Sequence, residues 1–181
     1  MSTIKVSTIS PLGTDATNTI TLGTNGTDTV TGAGSMVPAF EAKLTSDQAI
    51  SDNTLTKINF DTAELDTDSK YSTSDYKFTP TISGKYFVYS QINGYAGGDS
   101  DLVTIALQIR KNGSVVRFSF VEPSNNFGKT HTLNCSSILT LSTTDYVEIY
   151  GSIDGNSGGG EVIQGTANSA TFFGAYKVIG A

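Results

Sequence analysis

At 181 residues the chain is long enough for one domain with a buried core and some chain to spare. Thr, Ser, Gly, Asn and Asp dominate it, and no window of a dozen residues carries apolar side chains at i, i+3, i+4 and i+7, which argues against a helical domain. A net charge of −6 disfavours nucleic acid and anionic membrane as partners, and no stretch has the length or apolarity of a membrane insertion.

The chain begins MSTIKVSTIS, without the apolar centre of a secretory signal, so synthesis in a cytoplasm is expected. Residues 1–37 contain no aromatic side chain and are crowded with Thr and Gly. Within them T-x-T-[IV]-T occurs twice, at 17–21 and 27–31, with Gly23 and Gly26 as turn residues between. Each unit offers one side chain of buried size, Ile20 or Val30, too little for a core of its own. Two readings stand: a disordered Thr/Gly linker, or a β-stem or anchor whose apolar residues meet another chain. On the second, Ile4, Val6, Ile9, Ile20, Leu22 and Val30 are the attachment residues.

From Pro38 the character changes. Strands are expected at 39–45, 55–61, 75–80, 84–93, 101–111, 114–121, 130–141, 145–153 and 170–179, with Gly, Asn, Asp and Pro between them. Asn112-Gly113 between Ile109 and Val115 is a two-residue hairpin signal. So many strands in one domain, 38–181, fit an all-β, two-sheet antiparallel jelly-roll sandwich. An immunoglobulin-type sandwich fits less well, because there are too many strands and no Cys–Trp–Cys core.

One strand breaks the usual alternation. In GKYFVYSQI, residues 84–92, Tyr86, Val88 and Ile92 point one way while Phe87 and Tyr89 point the other. Either a loop covers the second face within one chain, or another chain does.

The strands GKYFVYSQI, LSTTDYVEIYGSI and TFFGAYKVI resemble, in this order, the complement C1q and tumour necrosis factor jelly-roll superfamily. So does the opening first strand, the Asn/Asp-rich excursion after it, and Tyr71 and Phe78 preceding Gly84-Lys-Tyr86. The resemblance spans about 38–181 and implies a compact homotrimer packed around a threefold axis, with Phe172, Tyr176, Tyr86 and Tyr89 as interface candidates. One of Tyr86 and Tyr89 must then face the protomer core. The collagen-like stalk of the animal proteins is replaced by the Thr/Gly tail, which itself resembles leaders of bacteriophage fibre and decoration proteins. Together these imply a non-enzymatic virion protein made in the host cytoplasm. Its tail would join capsid or tail proteins, and its head would be free to bind a host surface glycan or protein. A bacterial surface or secreted ligand-binding module is the alternative.

Catalytic chemistry finds little support. Gly155-Asn-Ser157-Gly-Gly resembles the surroundings of a trypsin-type nucleophile, but His131, the single histidine, precedes Ser157 by 26 residues. Trypsin-like chains separate the pair by about a hundred residues or more, with the acid between them. Cys135 has His131 on the same expected strand face and nothing that would lower its pKa, so a buried structural thiol is expected. Asp66 and Asp68 begin like a calcium loop, but Tyr71 and Lys77 stand where that loop needs Gly and Glu. Asp99 and Asp101 flank Ser100 in another loop, with Asp154 a potential neighbour. Calcium occurs at the trimer apex in some members of the superfamily, so Asp66, Asp68, Asp99 and Asp101 are the weak calcium candidates. No cofactor is otherwise expected.

Overall fold

The computed structural model describes residues 38–123, 128–165 and 170–178. The 1–37 segment, including Ile4, Val6, Ile9, Ile20, Leu22 and Val30, lies outside the described residues, as does Ile179 of the expected last strand. The described residues form thirteen strands: β1 Ala39–Lys43, β2 Gln48–Ala49, β3 Thr56–Lys57, β4 Thr62–Asp66, β5 Tyr71–Ser72, β6 Lys77–Phe78 and β7 Gly84–Tyr95, then β8 Leu102–Lys111, β9 Ser114–Val121, β10 Thr130–Leu141, β11 Val147–Gly155, β12 Val162–Ile163 and β13 Phe172–Lys177. None of the described elements is a helix long and apolar enough to cross a membrane.

Every pairing between them is antiparallel, and two sheets result. In the first, β4, β1, β13, β7 and β10 lie side by side, with β12 and β2 continuing past the end of β13. In the second the order is β5, β6, β11, β8, β9, with β3 also on β11. Sequence neighbours β7 and β8 sit in different sheets, as a jelly roll requires. The β8–β9 hairpin turns on Asn112 and Gly113, both with positive φ (50° and 79°), the geometry that favours Asn-Gly. The Asn112 side chain then ties the turn to the next hairpin, donating to Asp145 Oδ1 (2.6 Å) and accepting from the Tyr146 amide (2.9 Å).

Side chains of period two fill the space between the sheets. Tyr86, Val88 and Ile92 of β7 meet Ile105, Leu107 and Ile109 of β8 and Val147, Ile149 and Ile153 of β11, all fully buried. One end of the core is aromatic. Phe40 stacks on Phe78 at 4.3 Å and on Tyr71 at 5.1 Å, and meets the edge of Phe173 at 4.8 Å. Each such buried ring contributes about 1.5–3 kcal/mol by removal from water, and ring pairing adds to it.

The expected strands at 114–121 and 130–141 match β9 and β10 residue for residue. The expected strand at 55–61 does not form as one piece. Ile58 and Phe60 do point into the core, but past the Ile58 amide, which still donates to the Ile149 carbonyl, the backbone is bonded by side chains. The Asn59 amide donates to Gln48 Oε1 (2.9 Å), and the Phe60 carbonyl accepts from the Tyr71 hydroxyl (2.8 Å). The chain then forms β4, a mostly exposed edge strand whose TAELD alternates but whose apolar positions, Ala63 and Leu65, stay exposed along with the polar ones.

Candidate functional site

The strands of the first sheet present one face to the core and one outward, and the register places the outward side chains in rows. One row reads Ala39, Tyr176, Phe87, Ile138 across β1, β13, β7 and β10. The next reads Glu41, Gly174, Tyr89, Ser136, and the third Lys43, Phe172, Gln91, Asn134. Aromatic side chains therefore converge on the two central strands. Phe87 lies 5.5 Å from Tyr176 and 5.9 Å from Tyr89, and Tyr89 lies 6.2 Å from Phe172. All four rings are only half-buried by this cluster. Ile138, at the edge of the same face, is 61% exposed, far above what an aliphatic side chain of a packed core shows.

One polar contact organises the cluster. The Tyr89 hydroxyl donates to Glu41 Oε2 at 2.7 Å. Burial, and then the hydrogen bond and charge of Glu41, push the Tyr89 phenol well above its ordinary range. Glu41 and Lys43, on β1, are the charged residues of these rows, and Lys43 is ion-paired with Glu64. The central strip is thus uncharged and aromatic.

Of the four interface candidates, the structure brings Phe172, Tyr176 and Tyr89 onto this face and takes Tyr86 off it. Tyr86 is fully buried between the sheets, with its hydroxyl donating to the Ile82 carbonyl at 2.6 Å. Its pKa is pushed up to about 12 by burial first and the charge of Asp68 second. Phe87 was missed as a site residue, although it was legible on the second face of GKYFVYSQI. Ile138 was missed as well, because THTLNCSSILTL gives it no apolar partner in sequence.

A second apolar patch lies on the lateral edge of the sandwich. Phe118 and Phe120 of β9 stack at 5.3 Å with planes 19° apart, and both are about half exposed. They pair with Gln108 and Ala106 and so face away from the core. Arg117, just before Phe118, donates to Ser137 Oγ of β10 at 3.1 Å and bridges the two sheets along this edge.

The remaining candidates separate. Ser157 donates its hydroxyl and its amide to Asp101, and no bond to His131 exists among the described residues, so no triad is assembled. Cys135 is buried, and burial raises its thiol pKa. Asp66 accepts the amides of Lys70 (3.0 Å) and Tyr71 (2.8 Å), and Asp68 accepts from Thr81. Both act as turn-forming carboxylates. Asp99 is ion-paired with Lys129 at 2.8 Å, which lowers its pKa, whereas Asp101 is buried. Among the described residues no three His, Cys, Asp or Glu side chains are grouped to hold a metal.

No family model matches the chain, and no curated protein matches it. Solved structures do. Murine APRIL at pH 5.0 superposes with a TM-score of 0.57 at 10% identity, over 77% of this chain and 98% of that one. The globular domain of zebrafish complement 1qA gives 0.53 at 16% identity, over 78% and 96%. Eiger TNF from S. frugiperda gives 0.55 at 13% identity, over 79% and 93%. The chain therefore has the C1q/TNF-like jelly-roll fold, all-β with two antiparallel sheets.

Proposed function

We propose that residues 38–181 form a non-enzymatic, self-associating head, a homotrimer in which the aromatic face of the first sheet meets the β9/β10 edge of the next copy. The observation that carries this reading is the uncharged strip of Phe87, Tyr89, Phe172 and Tyr176, left half-covered on a protomer whose core is already complete. Soluble monomers seldom keep such a patch. Phe118 and Phe120 supply a second and different apolar surface. Two unlike surfaces on one chain associate head to tail, and a closed ring is the arrangement that leaves neither exposed. The threefold number rests on the resemblance to C1q and tumour necrosis factor heads.

The finer reading is a virion component of a bacteriophage, with the Thr/Gly-rich 1–37 segment attaching the head to the particle and the head displayed outward to a host surface glycan or protein. Its support is the repeated T-x-T-[IV]-T pattern and the likeness of that segment to phage leader sequences. Fold alone assigns no role.

Light scattering at micromolar concentration tests the first reading: the chain is expected at about three times its 19.0 kDa mass, and a monomer overturns it. For the second, deletion of 1–35 should leave a folded trimeric head that no longer joins the particle. A particle that still carries the truncated head rejects the attachment role.

A further inference from the structure

Carboxylates of Asp52, Asp101 and Glu161 approach Gly155 at the end of β11. Asp52 accepts the Gly155 amide at 2.9 Å, Asp154 adjoins it, and Asp101 and Glu161 approach its Cα. Glu161 is 1% exposed and Asp101 6%. None of the four takes part in an ion pair among the described residues; the ammonium group of Lys129, on a neighbouring loop, is bound to Asp99.

Glu161 is the anomaly. Its Oε1 is buried and has no hydrogen-bond partner among the described residues. Buried carboxylates that lack both a donor and a cation are strongly destabilised, so structures rarely keep them. The atom is also aimed. A Cβ placed on Gly155 would lie 2.6 Å from Glu161 Oε1, 2.7 Å from the Ala96 carbonyl oxygen and 3.4 Å from Asp101 Oδ2. Three oxygens from three segments thus pack about one point beside the Gly155 Cα, too closely for any side chain at that position.

We propose that Glu161, Asp101 and the Ala96 carbonyl hold a hard divalent cation, with calcium the fitting case, enclosed within each protomer. The donor set is oxygen only, two carboxylates and a main-chain carbonyl, with water completing the shell. It differs from the Asp66/Asp68 and Asp99/Asp101 groupings, because its essential member is Glu161. The cation neutralises a cluster that no lysine or arginine answers, and it ties the 96–101 loop to the 155–161 loop. Burial and the charge of Asp52 raise the pKa of Asp154, in keeping with excess negative charge here.

The full-length protein is stripped with EDTA, and its thermal unfolding is followed with and without millimolar calcium. Terbium luminescence is read in parallel. Calcium is expected to raise Tm by about 5 °C, reversibly. Glu161→Gln, nearly isosteric, should keep the fold by circular dichroism and lose the rise, whereas Asp99→Asn should keep it. If Glu161→Gln does not fold, Asp101→Asn is read instead, with the calcium midpoint expected to weaken at least about tenfold. A wild-type Tm indifferent to calcium and magnesium, with no terbium signal, overturns the proposal. A full calcium response in Glu161→Gln or in Asp101→Asn overturns it too, by placing the ion elsewhere.

Discussion

Tyr89 lies directly over Gly174 across the β7–β13 ladder, and a Cβ at position 174 would fall well inside contact distance of the ring's Cζ and hydroxyl. Glycine there is a requirement of packing. It lets the phenol lie flat and reach Glu41 on the next strand, spanning β13. Gly174→Ala should therefore lift the ring, break the Glu41 contact and destabilise the protomer by about 1–3 kcal/mol, read as a lower denaturant midpoint with unchanged slope. Assembly should weaken with it.

Adjacent residues of β13 separate folding from assembly. Phe173 is fully buried against Phe40 and Phe60, so Phe173→Asp should abolish soluble folded protein. Phe172 faces outward beside Tyr89, so Phe172→Asp should leave a folded monomer and cost assembly about 2–3 kcal/mol per chain or more. Sedimentation and circular dichroism on the two variants check this pair. Intact assembly of Phe172→Asp would place the interface elsewhere.

The β9 edge supplies a complementary test. Phe118→Ser and Phe120→Ser remove half-exposed rings and should change protomer stability little. If this edge meets the aromatic face of the next copy, each should raise the concentration midpoint of assembly about tenfold, about 1.4 kcal/mol. Unchanged midpoints in both would leave the edge free.

Alkaline pH should unfold the head in a defined window. The phenols of Tyr71, Tyr86 and Tyr89 are all held above their ordinary pKa of 10.0, chiefly by burial. The folded state therefore keeps protons that the unfolded state releases. Their contribution is fully present below about pH 10 and is lost as pH rises toward the folded value of about 12 for Tyr86. Tm measured against pH should fall through that interval, and Tyr86→Phe should show a shallower fall. An identical slope would mean that Tyr86 does not titrate with unfolding.

The sequence by itself determined the sandwich, its long strands, and the two-sidedness of β7 and β13. Period-two patterning and Asn-Gly turn chemistry are local, and they survive folding because each strand buries one face whatever its neighbours. That Phe172 and Phe173 face opposite ways followed from the same rule. Which tyrosine of β7 entered the core was not decided by alternation, since Tyr86 and Tyr89 lie on opposite faces and both are amphipathic. The tertiary structure decided it, by providing the Ile82 carbonyl for one hydroxyl and Glu41 for the other. The edge strand β4, the exposed position of Ile138 and the convergence of Glu161, Asp101 and Ala96 on Gly155 depended on tertiary structure as well. Each joins residues far apart in the chain, held by backbone pairing and loop closure, and such contacts leave no periodic trace in sequence.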